Sequence, residues 1–154
     1  MRKAAVKNKL ENKKLIVNSR TENLSSIRDF IASAAREVGI QEDTVENIML
    51  AVDEACSNII KHAYKSNPEG EIKIDLEYLN GKFTVIIQDH GSSFEPDLIP
   101  EPDLQKYYRQ RRVGGLGMYL MKSLMDEVQY ITVPGKYNRV LLTKNVSRAQ
   151  SNEG

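Results

Sequence analysis

Apolar residues recur with a helical period in two long segments of the first half of the chain. Over residues 21–40 they are spaced by three or four positions and are followed by Gly39, which predicts a helix that ends at this glycine. The same period over residues 42–66 predicts a second, longer helix. The apolar stripe of this second helix is formed by Val45, Ile48, Met49, Val52, Cys56, Ile59, Ile60 and Ala63.

Alternation of apolar and polar residues predicts the strands. Residues 71–79 place Ile72, Ile74, Leu76 and Tyr78 on one side of such a strand. The Asn80-Gly81 pair that follows favours a two-residue hairpin because both residues accept a positive φ, so residues 82–89 are predicted to pair antiparallel with this strand. Further strands are predicted at residues 13–19, 127–133 and 138–145, with a turn at Pro134-Gly135 before the last of them.

A long irregular segment follows the strand that is predicted over residues 82–89. It runs from His90 to Val113, contains three of the five prolines and precedes a predicted helix over residues 115–126. The order of elements predicts an α+β fold, a two-layer sandwich in which a mostly antiparallel sheet carries helices on one face. We expect one domain over residues 13–146, with a flexible N-terminal arm at 1–12 and a disordered tail at 147–154.

Composition narrows the class of protein. Apolar residues make up 40% and charged residues 28%, as in soluble globular proteins. The 22 basic and 21 acidic residues nearly balance, which gives no electrostatic argument for direct nucleic-acid or membrane binding. Two histidines and one cysteine are too few for a zinc centre or a disulfide framework, and the lone cysteine favours the cytoplasm.

The segment RRVGGLGMYL at residues 111–120 brings three glycines to the start of the last predicted helix. It is neither a P-loop nor a dinucleotide fingerprint, because no Lys-Ser/Thr pair follows it and no strand precedes it. Glycines at a helix start let backbone N–H groups approach an anion at the positive end of the helix. The alternative is a hinge for the preceding loop, and the glycines alone leave both interpretations open.

The second predicted helix carries polar residues at a spacing of four. Glu54, Asn58 and His62 recur at this interval, which places them one above another on an ideal helix. A carboxylate beside an amide oxygen is typical of a general base next to a Mg²⁺ ligand. The alternative is a solvated helix face.

The strand over residues 82–89 ends in a carboxylate that is followed by a glycine. Asp89 can accept a hydrogen bond from an amino group of a ligand, and Gly91 would let the backbone come close to it. An ordinary turn at a strand end explains the same two residues equally well.

In their order along the chain, these segments resemble the GHKL (Bergerat-fold) ATPase superfamily. They are most similar to the bacterial anti-sigma-factor serine/threonine kinases of the RsbW type, over about residues 13–145. LAVDEACSNIIKHAY resembles the Glu-x-x-x-Asn motif of this family with its trailing His and Tyr. IIQDHGSSFEP resembles its Asp-x-Gly motif, and GGLGMYLMKSLMDEVQY resembles its second glycine motif and the helix that follows.

The resemblance implies a role for each candidate residue. Glu54 would be the catalytic base, while Asn58 would hold Mg²⁺ and bind the nucleotide together with His62. Asp89 would accept a hydrogen bond from the adenine amino group, with Gly91 allowing the ring to approach. The remaining nucleotide contacts would come from a lid at about residues 95–113 and from Arg112, Gly114, Gly115, Leu116 and Gly117.

The resemblance also implies a function. The chain would be an ATP-dependent serine/threonine protein kinase and anti-sigma factor that phosphorylates a STAS-type anti-anti-sigma partner. It would sequester a sigma factor, with ATP or ADP shifting the choice between the two partners, and it would form a homodimer. The alternative is a nucleotide-dependent binding module without significant phosphoryl transfer, which the retention of Glu54 and Asn58 disfavours because a pure binder needs no base.

Two segments depart from the pattern of this family. One is Ser92-Ser93, where ATPases of the broader superfamily often have another glycine. Many relatives have a Gly-Thr pair before the last strand, where this chain has Tyr137-Asn138. The resemblance therefore does not extend to this contact with the adenine side of the nucleotide.

Overall fold

The computed structural model describes residues 13–93 and 121–146, and within them it shows an antiparallel sheet with helices on one face. The strands are β1 (Lys14–Asn18), β2 (Glu71–Leu79), β3 (Lys82–Asp89), β4 (Glu127–Val133) and β5 (Tyr137–Asn145). Their order in the sheet is β1-β2-β3-β5-β4, so β5 lies between β3 and β4. The helices are α1 (Leu24–Glu37), preceded by a 3-10 turn at Thr21–Asn23, and α2 (Glu42–Asn58), extended by a π-helical turn at Ile59–Ala63. The predicted α+β fold is confirmed.

The predicted hairpin and the predicted end of the first helix are both present with the expected backbone conformation. Asn80 and Gly81 have φ angles of 54° and 77° between β2 and β3, as a two-residue hairpin requires. Gly39 has a φ of 86°, and its N–H donates to the Arg36 carbonyl at 3.0 Å, which ends α1 as predicted.

The core lies between the helices and one face of the sheet. The inward residues of β2 are all buried, and they are the apolar side that the alternation predicted: Ile72, Ile74, Leu76 and Tyr78. Phe83, Val85 and Ile87 of β3 continue this layer and are fully buried. The other face of β3 is only half-buried, which leaves the described sheet covered on one side.

Three helix boundaries differ from the predicted ones. The first predicted helix begins with the 3-10 turn, and the second changes from α to π at Ile59. Residues 121–124 are helical, but the helix predicted to reach 126 has ended there. Asp126 instead joins the sheet, because its N–H donates to Thr143 and its carboxylate accepts from the N–H of Asn145.

None of the helices in residues 13–93 and 121–146 has the length and apolarity that crossing a membrane requires.

Candidate functional site

A cleft opens where the end of α2 faces the ends of β3, β4 and β5. Asn58 lines it from the helix and Asp89 from the sheet, so the structure brings these two predicted site residues together. Glu54 lies one helical turn before Asn58 and is half-buried. The other residues that line the cleft are Ala55, Ile59, Tyr130, Thr132, Asn138, Arg139 and Val140.

The helix changes its winding at the cleft. The Tyr64 N–H donates to the Ile59 carbonyl at 2.9 Å, a bond that spans five residues and defines a π-helical turn. Such turns are rare and are concentrated at functional sites. His62 lies in this wider turn and is exposed.

Asp89 is buried, yet it carries few hydrogen bonds. Its Oδ1 accepts from the Gly91 N–H and from the Asn138 Nδ2, both at 2.9 Å. Within the part of the chain that the structure describes, no donor reaches Oδ2. Burial raises the pKa of Asp89, while the two hydrogen bonds and the nearby His90 act in the opposite direction. A buried carboxylate oxygen is therefore available at the wall of the cleft.

The turn that follows Asp89 is fastened to the end of the helix. The Ser92 N–H donates to the Ala63 carbonyl at 2.7 Å, and the His90 N–H donates to the Tyr64 hydroxyl at 2.8 Å. A Cβ at Gly91 would lie 2.4 Å from the Ala63 carbonyl oxygen. Packing against the helix end therefore requires a glycine here, a reason that is independent of the predicted approach of a ligand ring.

Glu54 has the electrostatic surroundings of a proton acceptor. Partial burial raises its pKa, the charge of Asp53 raises it further, and Lys61 opposes both. Asp53 is itself held in place by Arg28 of α1, whose guanidinium lies 2.7 Å from its carboxylate. A carboxylate whose pKa is raised accepts a proton more effectively than an ordinary glutamate.

The described residues of the cleft do not hold a metal ion by themselves. The described ranges contain no group of three or more His, Cys, Asp or Glu side chains that could hold one. The Asn58 side-chain oxygen suits Mg²⁺, which binds proteins through few side chains and takes its remaining ligands from phosphates and water. The residues present therefore fit a metal ion that arrives with a nucleotide.

The other predicted nucleotide contacts fall outside the described residues. They are the lid at 95–113, Arg112, Gly114, Gly115, Leu116 and Gly117. The arm at 1–12 and the tail at 147–154 lie outside them as well. These predictions stay predictions.

Three residues that shape the site have no role predicted from the sequence. Asn138 bonds directly to Asp89, Thr132 bonds to Asn138, and Tyr64 holds the turn after Asp89. Tyr64 belongs to the trailing His and Tyr of the Glu-x-x-x-Asn motif, and Asn138 occupies the position that departs from the pattern of the relatives. Both signals were in the sequence, whereas nothing pointed to Thr132.

Comparisons with known proteins show the family to which the chain belongs. The family model described as "Histidine kinase-like ATPase domain" matches residues 17–144. The "Serine-protein kinase RsbW" of Bacillus subtilis (strain 168) is 36% identical over 129 residues, which cover 80% of each chain. The protein of the same name from Bacillus thuringiensis (strain Al Hakam) is 32% identical over 143 residues, covering 90% of this chain and 88% of the relative.

Solved structures share the fold at low sequence identity. A chain of the SiaB-SiaC complex from Pseudomonas aeruginosa aligns with a TM-score of 0.63 and 13% identity, over 93% of this chain and 94% of that one. The structure of the RsbU and RsbW domains of Rv1364c from Mycobacterium tuberculosis aligns with a TM-score of 0.59 and 16% identity. It covers 88% of this chain and 33% of the other.

Proposed function

The chain belongs to the RsbW family of serine-protein kinases, with their histidine kinase-like ATPase domain, and on that premise we propose how it acts. It is an ATP-dependent serine/threonine protein kinase and anti-sigma factor whose substrate is a STAS-type anti-anti-sigma protein. The observation that carries the proposal is the shared cleft of Asn58 and Asp89, with the half-buried carboxylate of Glu54 one helical turn away.

Each residue of the cleft contacts a different part of the nucleotide. Asp89 accepts a hydrogen bond from the adenine amino group, and Asn58 would hold Mg²⁺. The metal ion neutralises phosphate charge when it is bound. Gly114, Gly115 and Gly117 line the phosphates, and residues 95–113 are the lid over the nucleotide.

Glu54 acts on the acceptor hydroxyl. The hydroxyl oxygen of a partner serine or threonine forms a bond to the γ-phosphorus while the bond from that phosphorus to the bridging oxygen of ADP breaks. Glu54 takes the hydroxyl proton, and ADP leaves with the electron pair of the broken bond. Phosphoryl transfer depends mainly on positioning and charge neutralisation, so one base and one metal ion suffice.

The same protein sequesters a sigma factor and releases it when the unphosphorylated STAS partner competes. ATP or ADP in the cleft shifts the choice, and by linkage each partner shifts the nucleotide affinity in return. We further propose that the protein works in the cytoplasm as a homodimer. Sedimentation of the full chain would test the homodimer directly.

A transfer assay separates the kinase from a binding module without transfer. Wild-type protein, Glu54→Gln and Glu46→Gln are incubated with γ-labelled ATP, Mg²⁺ and the candidate STAS partner. Glu46 is an exposed glutamate on the same helix, so its variant is a matched control. We expect label on the partner with wild type and Glu46→Gln, and a loss of at least about a hundredfold with Glu54→Gln. ATP binding by wild type without any transfer would favour the binding module instead.

A further inference from the structure

The side-chain amide of Asn138 is held in one orientation by three hydrogen bonds. Its Oδ1 accepts from the Thr132 hydroxyl at 3.1 Å. Its Nδ2 donates to Asp89 Oδ1 at 2.9 Å and to the Gly91 carbonyl at 3.0 Å. A flipped amide would place its oxygen against two acceptors, so the network allows only the orientation described.

This amide decides which oxygen of Asp89 remains for a ligand. Oδ1 already accepts from the Gly91 N–H and from Asn138, whereas no donor among the described residues reaches Oδ2. The bond from Asn138 to the Gly91 carbonyl also fixes the turn that carries the second donor. Asp89 lines the cleft, so its second oxygen is available there while the first is held by two hydrogen bonds.

The same contacts favour the ionised form of the carboxylate. Two donated hydrogen bonds stabilise its negative charge against the cost of burial. An ionised carboxylate can only accept hydrogen bonds, whereas a protonated one can also donate. The difference determines which nucleobase the carboxylate can bind, because adenine presents an amino group where guanine presents a carbonyl.

We infer that Asn138 is a positioning residue that presents Oδ2 of Asp89 to the nucleobase and so sets the preference of the site for ATP over GTP. The inference rests on the proposed function, which places adenine at Asp89. Many relatives have a threonine at the position of Asn138. The amide of Asn138 can donate two hydrogen bonds, to Asp89 and to Gly91, whereas a threonine hydroxyl can donate only one.

Calorimetric titration of the full chain with ATP and with GTP tests this inference. The variants are Asn138→Ala and Asn138→Leu, and the latter nearly preserves the side-chain volume without the amide. Asn145→Ala, an exposed asparagine on the same strand, is the matched control. We expect both Asn138 variants to bind ATP roughly tenfold more weakly and to lose a similar factor of preference over GTP. In the transfer assay their KM for ATP rises while kcat at saturating ATP is unchanged.

The outcomes separate the inference from the function on which it rests. If the wild type binds no ATP, the proposed function fails. If it binds ATP and a folded Asn138 variant keeps the full preference over GTP, the inference is overturned and the function stands. Failure of both variants to fold, checked by circular dichroism, would assign Asn138 to the fold and overturn the inference too.

Discussion

The surroundings of two carboxylates, Asp89 and Glu54, raise their pKa values, and the causes differ between the two residues. Asp89 is buried at a strand end, and donated hydrogen bonds from Gly91 and Asn138 partly offset the effect of burial on its pKa. Glu54 is half-buried on a helix, where the charge of Asp53 adds to burial. The first environment suits an acceptor that stays ionised, and the second suits a group that gains and loses a proton.

Burial and the charge of Asp53 both raise the pKa of Glu54 and so shift the pH range in which it can act as a base. The raised pKa means that Glu54 becomes protonated, and the transfer rate falls, at a higher pH than for an ordinary glutamate, near 4.3. Asp53→Asn removes one of the two causes that raise this pKa, so the acidic limb of the pH–rate profile should move to lower pH. Initial transfer rates measured across the acidic range provide the test.

Arg28→Gln is the matched control for that experiment. It breaks the same ion pair between α1 and α2 but leaves the Asp53 charge in place. Its acidic limb should therefore stay where it is in the wild type or move to higher pH. A shift to lower pH in both variants would mean that the lost ion pair, and not the charge beside Glu54, is responsible.

The end of α2 and the turn after β3 form one connected unit. The Ala63 carbonyl accepts a hydrogen bond from the Ser92 N–H, and the Tyr64 hydroxyl accepts one from the His90 N–H. Gly91 packs against Ala63 at the end of the helix. Tyr64 also exchanges hydrogen bonds with the backbone of Glu71, which starts β2. Two of the elements that supply the cleft are therefore held at a fixed separation.

Replacing Gly91 with alanine should force these two elements apart. The new Cβ would meet the Ala63 backbone at 2.4 Å, so we expect a loss of about 1–3 kcal/mol in the free energy of unfolding and a weaker affinity for ATP. Urea denaturation and nucleotide titration measure the two effects. Gly39→Ala is the control, because its φ of 86° strains an alanine while no atom lies within 4 Å of the new Cβ. Gly39→Ala should lose stability without losing ATP affinity, and an equal loss of affinity in both would contradict this account.

At the scale of the whole molecule, the described helices cover one face of the sheet, and the other face of the described strands is only partly buried. The adjacent residues Ile86 and Ile87 lie on opposite faces of the sheet, and Ile87 is fully buried whereas Ile86 is only partly buried. Ile87→Ala should cost about 2–5 kcal/mol of the free energy of unfolding, and Ile86→Ala much less. Chemical denaturation at low protein concentration measures both. Equal costs would show that the open face is also covered in solution.

Most of the fold follows from local patterns, whereas the site depends on contacts between distant segments. Alternation and the Asn80-Gly81 pair predict β2 and β3 because strand period and turn chemistry are local. The π-helical turn at Ile59–Ala63 was not predicted, since the apolar period continues through it and only its contacts with the turn after β3 mark it. The link from Asn138 to Asp89 spans 49 residues and has no local signature.

The position of β5 has a consequence for the order in which the protein is made. This strand follows all the others along the chain, but it lies inside the sheet between β3 and β4. While a ribosome synthesises the stretch from Asp89 to Asn145, for several seconds at roughly 5–20 residues per second, β3 has no neighbour on one side. During that time its exposed edge can pair with another nascent chain, and Asp89 lacks its bond to Asn138. The nucleotide site is thus completed only when synthesis of the sheet ends, so a chain interrupted before β5 has no finished site.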